Sequence, residues 1–122
     1  MIGFVTVGTN DMDRASAFYD ALFATIGAKR LTDNERFKAW GIAPGTPRVA
    51  VVKPYDGSPA ATGNGNMVAL AMESRDQVNA MHAKALSLGG ADEGAVGLRG
   101  ETFYAGYFRD LDGNKFVPFK VG

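Results

Sequence analysis

The 122-residue chain carries 13 basic and 13 acidic side chains, for a formal charge of zero. No run of like charge offers a surface to nucleic acid or to an acidic membrane. With no cysteine and a single histidine, His82, it has no disulfides, thiolate metal centres or cysteine nucleophiles, and a transition-metal site would have to be built almost wholly from carboxylates. Hydrophobic residues make up 46%, enough for the core of one compact domain spanning 1–122. No basic region followed by an apolar run opens the chain and no stretch reaches membrane-spanning length, which predicts a cytoplasmic protein.

In chain order, Gly3 to Gly8 alternates and is rich in β-formers, so it predicts a strand. Asn10 or Asp11 can cap a following helix, and Asp11 and Asp13 suit its positive end. Ala15, Phe18, Tyr19, Leu22, Phe23 and Ile26 recur at helical spacing as one apolar stripe, with Gly27 placed for a left-handed C-terminal residue. Short strands follow around Lys29 to Leu31, Phe37 to Ile42 and Arg48 to Lys53, separated by turn formers such as Asp33-Asn34 and Pro44-Gly45. Residues 54–66 form a loop rich in Gly, Ser, Pro and Asn, long enough to serve as a connector or a lid.

The second half repeats the pattern. Asn66 to Met72 reads as a strand, and Ser74-Arg75-Asp76-Gln77 as a capping box. Val78, Met81, Ala85 and Leu88 make the helical stripe, closed by Gly89-Gly90. Segments near Ala95 to Leu98, Thr102 to Arg109 and Lys115 to Phe119 complete the set. The unit is βαβββ, used twice at an offset of about sixty residues, which suggests duplication. Repeat one covers about 1–54 and repeat two about 66–122. The pattern alone supports an α+β domain with helix-covered sheets.

One stretch is more specific than pattern. Tyr104 to Val117 reads as strand, turn, strand, with Asp110-Leu111-Asp112-Gly113-Asn114 at the turn. It resembles the last hairpin of the glyoxalase/bleomycin resistance/dioxygenase superfamily, also called the vicinal oxygen chelate superfamily. The resemblance runs almost the whole length: Phe4 to Asp11 looks like the family's opening strand and helix cap, Arg14 to Leu22 like its first helix, and Gly63-Asn64-Gly65 and Ser74-Arg75 like a small glyoxalase-like subgroup. It implies a curved mixed sheet, with helices outside and a cup inside.

The same resemblance implies where a metal would sit: on the first strand, after the central loop and on the last strand, with a fourth carboxylate in some lyases. Those positions are Phe4, Met67 and Val117, and the Arg48 to Lys53 strand has no acid. Neither Phe nor Val can coordinate, and a Met thioether is too soft for oxygen-chelating metals. The expected site is therefore metal-free and without a cofactor. Strand alternation turns Phe4 and Thr6, Met67 and Ala69, and Val117 and Phe119 toward the cup, and Val5, Val7, Val68, Leu70 and Phe116 toward the helices. Trp40, Tyr55, Tyr104 and Tyr107 are expected to border the cup, with Trp40 the first choice to read a ligand. Such a cup suits a small, partly apolar or aromatic ligand, as in drug-sequestering members of the superfamily, which commonly work as homodimers. Two other readings stay open. The cup can be filled by its own side chains. Alternatively the chain is a lactoylglutathione lyase-like or dioxygenase-like enzyme drawing ligands from Glu35, Glu73 or Glu101.

Other candidates read as structural. His82 falls at the edge of the second helix stripe, away from the cup. Asp110 to Asn114 lacks the spacing and closing Glu of a calcium loop. Gly94, Gly97 and Gly100 lack the Lys-Ser/Thr of a phosphate loop. Arg99 and Glu101 can sit at the cup rim. No arrangement of Ser, His and Asp is available as a nucleophilic triad.

Overall fold

The computed structural model describes all residues, 1–122. The elements run β1 (Phe4–Gly8), α1 (Met12–Ala24), β2 (Lys29–Asp33), β3 (Phe37–Gly41), β4 (Arg48–Val52), β5 (Val68–Ala71), α2 (Arg75–Ser87), β6 (Ala91–Arg99), β7 (Phe103–Arg109) and β8 (Lys115–Val121). This is the βαβββ unit twice. Each unit makes its own four-stranded mixed sheet, ordered β1-β4-β3-β2 and β5-β8-β7-β6. In both, the first strand pairs in parallel with the last, and the remaining pairs are antiparallel. β1 and β5 are therefore edge strands, so the curved sheet expected from the sequence is two sheets.

Both helices start where side-chain caps satisfy the first N–H groups. The Asp11 carboxylate accepts from the Arg14 N–H and the Ser74 hydroxyl from the Gln77 N–H. The reciprocal half of the capping box is shifted by one residue: the Gln77 side chain accepts from the Glu73 N–H at 2.9 Å. The chain leaves both helices through glycines with positive φ, Gly27 at 73° and Gly89 at 97°, as the sequence predicts.

One core joins the two halves. Seventeen buried residues pack between the helices and the sheets, including Val7, Leu22, Trp40, Val51, Met81, Phe108 and Phe116. Tyr19 of α1 lies at its centre, with ring centroids of Phe23, Trp40 and Phe116 at 5.3, 5.5 and 5.9 Å. Val5, Val68 and Leu70 pack against the same cluster, so all five residues assigned to the helix side lie there.

The β7–β8 hairpin ties the halves together. Its loop is wider than a two-residue turn: the Asp110 N–H donates to the Asn114 carbonyl at 2.9 Å, and Gly113 takes φ 90°. The buried Asp110 carboxylate accepts from the backbone N–H groups of Asp112 and Asn114 and from the Tyr19 hydroxyl. Asp112 accepts from the Thr9 hydroxyl at 2.6 Å and the Asn10 N–H at 3.0 Å, and the Asn114 amide donates to the Gly8 carbonyl at 2.9 Å. The most family-specific motif in the chain therefore fastens the second unit to the end of β1.

Candidate functional site

The strands present one face to the helices and the other to a concave surface. On the first sheet the concave face carries Phe4 and Thr6 of β1, Phe37 and Ala39 of β3, and Arg48 and Ala50 of β4. The Phe4 and Phe37 rings meet edge to face at 5.5 Å. On the second sheet it carries Ala69, Val117 and Phe119, with Phe103, Ala105 and Tyr107 of β7. Phe103 and Phe119 stack at 5.2 Å. Met67 lies in the connector just before β5. Alternation accounts for these faces, because each neighbour in sequence (Val7, Val49, Trp40, Phe108, Phe116) belongs to the core.

The three metal-ligand positions implied by the family resemblance differ in exposure. Phe4 is 56% exposed and Met67 46%, whereas Val117 is 1% exposed. Thr6 and Ala69 are exposed and Phe119 is half-buried. Ala39, Ala50 and Ala105 are buried on this same face. The floor is thus lined by small residues, with the larger apolar side chains standing around it. None of the three ligand positions offers an oxygen or nitrogen donor, so the residues present do not fit a divalent metal. No group of three His, Asp or Glu gathers elsewhere as a candidate set.

Two predicted cup residues lie on the opposite face. Trp40 is 2% exposed and packs beneath α1, its indole N–H donating to Asp20 at 2.8 Å. The core stripe of α1 draws the indole to that side, as strand alternation with Phe37 and Ala39 on the other face requires. Tyr104 packs against the core from β7, its hydroxyl donating to Asn79 of α2 at 2.6 Å, with Arg75 over its ring. Tyr55 is wholly exposed in the long connector. Tyr107, one residue off the Phe108 core position, does face the concave side.

His82 is buried behind β6 and β7, its Nε2 3.2 Å from both the Asp92 carboxylate and the Tyr107 carbonyl. The Asp92 carboxyl is held below the usual carboxylate range, first by the Gly94 N–H and then by His82. Gly106 leaves room for the imidazole, since a Cβ there would lie 3.0 Å from the ring. This cluster braces α2 against the sheet on the side away from the concave face. Tyr19 is the other strongly perturbed group: burial, then the charge and hydrogen bond of Asp110, push its hydroxyl well above the ordinary tyrosine range.

Sequence reasoning places Arg99 at the rim but passes over two further basic residues of the concave side, Arg48 and Lys115. Arg48 donates to the Thr32 hydroxyl, Arg99 to the carbonyls of Gly97, Ala105 and Ala95, and Lys115 lies over the Tyr107 ring at 5.4 Å. No carboxylate lies within ion-pairing distance of any of the three. Alternation from Val117 could have flagged Lys115. The lack of a counter-charge for Arg99 depends on tertiary contacts and has no sequence signal.

The fold and the concave face define a glyoxalase-type architecture, and comparison with known proteins agrees. The profile of the Glyoxalase/Bleomycin resistance protein/Dioxygenase superfamily matches residues 1–117, and the chain belongs to that superfamily. It is similar to a glyoxalase/bleomycin resistance protein from Albidiferax ferrireducens T118, with 33% identity and a TM-score of 0.90 over 100% of this chain and 99% of that one. More distant structures share the fold. These include hypothetical protein SA1046 of S. aureus (22% identity, TM-score 0.76, 98% of this chain and 92% of that one) and fosfomycin resistance protein FosX of Mesorhizobium loti (20%, 0.70, 100% and 92%). No curated protein matches the sequence. No helix is long and apolar enough to cross a membrane.

Proposed function

We propose that the protein binds a small, partly apolar molecule on its concave side without a metal, as drug-sequestering members of its superfamily do, and that it works as a homodimer. The observation that carries this reading is the exposed apolar surface of Phe4 and Met67, at two of the three positions where the family resemblance implies metal ligands; the third, Val117, is buried and equally apolar. An exposed apolar lining with a few polar groups is the usual composition of a small-molecule site. Flexible Met and edge-to-face Phe side chains adapt to varied ligands. The exposed patch also suits a second copy of the chain as a wall.

Metal titration calorimetry with Ni, Zn, Mn and Fe(II), paired with a thermal-shift screen of small aromatic molecules, tests the proposal. A ligand that binds only the folded form raises the melting temperature by mass action. Expected are no stoichiometric metal binding and a concentration-dependent shift with aromatic ligands that is lost in Phe4→Ala/Met67→Ala. Tight one-to-one metal binding would overturn the metal-free reading and turn attention to lyase or dioxygenase chemistry. Sedimentation at micromolar concentration tests the dimer, and a monomer throughout would rule it out.

A further inference from the structure

Between the edge strands β1 and β5 lies a groove of about 470 Å³. Its walls are β1 from Val5 to Gly8, the start of β5 with Met67, and the connector around Thr62 to Asn66. Lys115 reaches it from β8, and none of its lining residues is an Asp or Glu. The hydroxyls of Thr6 and Thr62 and the amide of Asn66 stand exposed along it as donors.

Lys115 is the one charged residue that lines the groove, and a second cation, Arg99, stands two strands further into the same sheet on β6. The Lys115 ammonium is 5.4 Å from the centroid of the Tyr107 ring, and the Arg99 guanidinium is 5.3 Å from the same ring. Arg99 is bonded only to carbonyls, which leaves its charge uncompensated. The register places this ring beside Val117, because Ala105 pairs with Phe119 and Phe108 with Phe116. Fixed positive charge therefore gathers next to the position where the family resemblance puts a metal ligand. A cation beside a groove whose lining has no acid attracts an anion and holds it best where hydrogen-bond donors converge.

We infer that this groove receives the carboxylate of a small organic acid, bound by Lys115 and the neighbouring donors, with the apolar part of the ligand against Met67. The inference deepens the proposed function and rests on it: it names the ligand class as an anion carrying an apolar or aromatic body. Lys115 supplies a charge-assisted hydrogen bond, and Arg99, held by its backbone partners on β6, adds positive potential from further along the sheet.

The test is a titration of benzoate and of its neutral counterpart benzamide, followed by amide chemical shifts. It uses the wild type, Lys115→Met and Lys115→Arg, with urea midpoints to show that each variant is folded. The expected result is binding of benzoate about tenfold or more tighter than benzamide, as one charge-assisted hydrogen bond implies. Shifts should centre on Thr6, Asn66 and Met67, the preference should vanish in Lys115→Met and return in Lys115→Arg, and it should weaken as salt is raised. Equal binding of the two probes, or a preference unchanged in Lys115→Met, would overturn the anion site while leaving the apolar reading standing. Binding of neither probe would overturn both.

Discussion

The two faces of the same strands are built on opposite terms. Toward the helices, β1, β3 and β8 contribute Val7, Trp40 and Phe116, which interlock around Tyr19, and the polar atoms there are paired: Trp40 with Asp20, Tyr19 with Asp110. Toward the concave side, the same three strands contribute Phe4, Ala39 and Val117, with small residues on the floor and an exposed ring at the edge. The helix-covered face holds most of the packing and therefore most of the stability. The concave face carries less of it, because Phe4, Thr6 and Ala69 on that face remain exposed.

This contrast can be broken or sharpened by substitution. The largest effect is expected on the helix side, where Trp40→Ala should cost about 3–5 kcal/mol in urea unfolding, because a large ring is removed from a packed site. Since Trp40 faces away from the cup, a folded Trp40→Phe variant should keep the ligand affinity of the wild type. Next is the hairpin. Asp110→Ala removes the acceptor for Tyr19 and for two backbone N–H groups, and should cost about 3 kcal/mol. The double variant with Tyr19→Phe should lose less than the sum, since the two side chains share one bond. Smallest in stability is the concave side, where Phe4→Ala or Met67→Ala should change the unfolding free energy by less than about 1 kcal/mol while weakening ligand binding. A large loss of stability there would show that the apolar lining is part of the core after all.

The same comparison extends to pH. Tyr19 has its folded pKa raised by burial and by Asp110. Its contribution is therefore fully present below the unfolded value, about pH 10, and is lost as the pH climbs from there toward the folded value. The urea midpoint of the wild type should fall across that window more steeply than that of Tyr19→Phe. Asp92 runs the other way. Its folded pKa is lowered by the Gly94 N–H and by His82, so its contribution is present above the ordinary carboxylate range and is lost as the pH falls through the depressed value. The gap between wild type and Asp92→Asn should close in acid. A gap that persists would separate the His82 cluster from the acid response.

Much of the fold was legible because local physics repeated itself. Two helical stripes ending in glycine, two caps and eight strand segments each pointed to one element, and the elements agreed in order. Boundaries moved by a few residues: β6 starts at Ala91 rather than near Ala95, and β8 runs on to Val121. The candidate site was legible only in part. Alternation placed Phe4, Thr6, Ala69, Val117 and Phe119 on the concave side, since period two fixes direction once one residue is known. Trp40 and Tyr104 were misplaced because each was judged by size and chemistry instead of by its neighbours in the strand.

Sequence alone determined the two βαβββ units and the hairpin motif, because these depend on residue type and short-range spacing. Tertiary structure decided the rest. It shows that Asp110, Asp112 and Asn114 reach back to Tyr19, Thr9 and Gly8, and that Lys115 and Arg99 meet at one ring without a carboxylate partner. Contacts between residues some ninety to a hundred positions apart depend on how the two sheets are set against each other, and no local pattern in the chain encodes that.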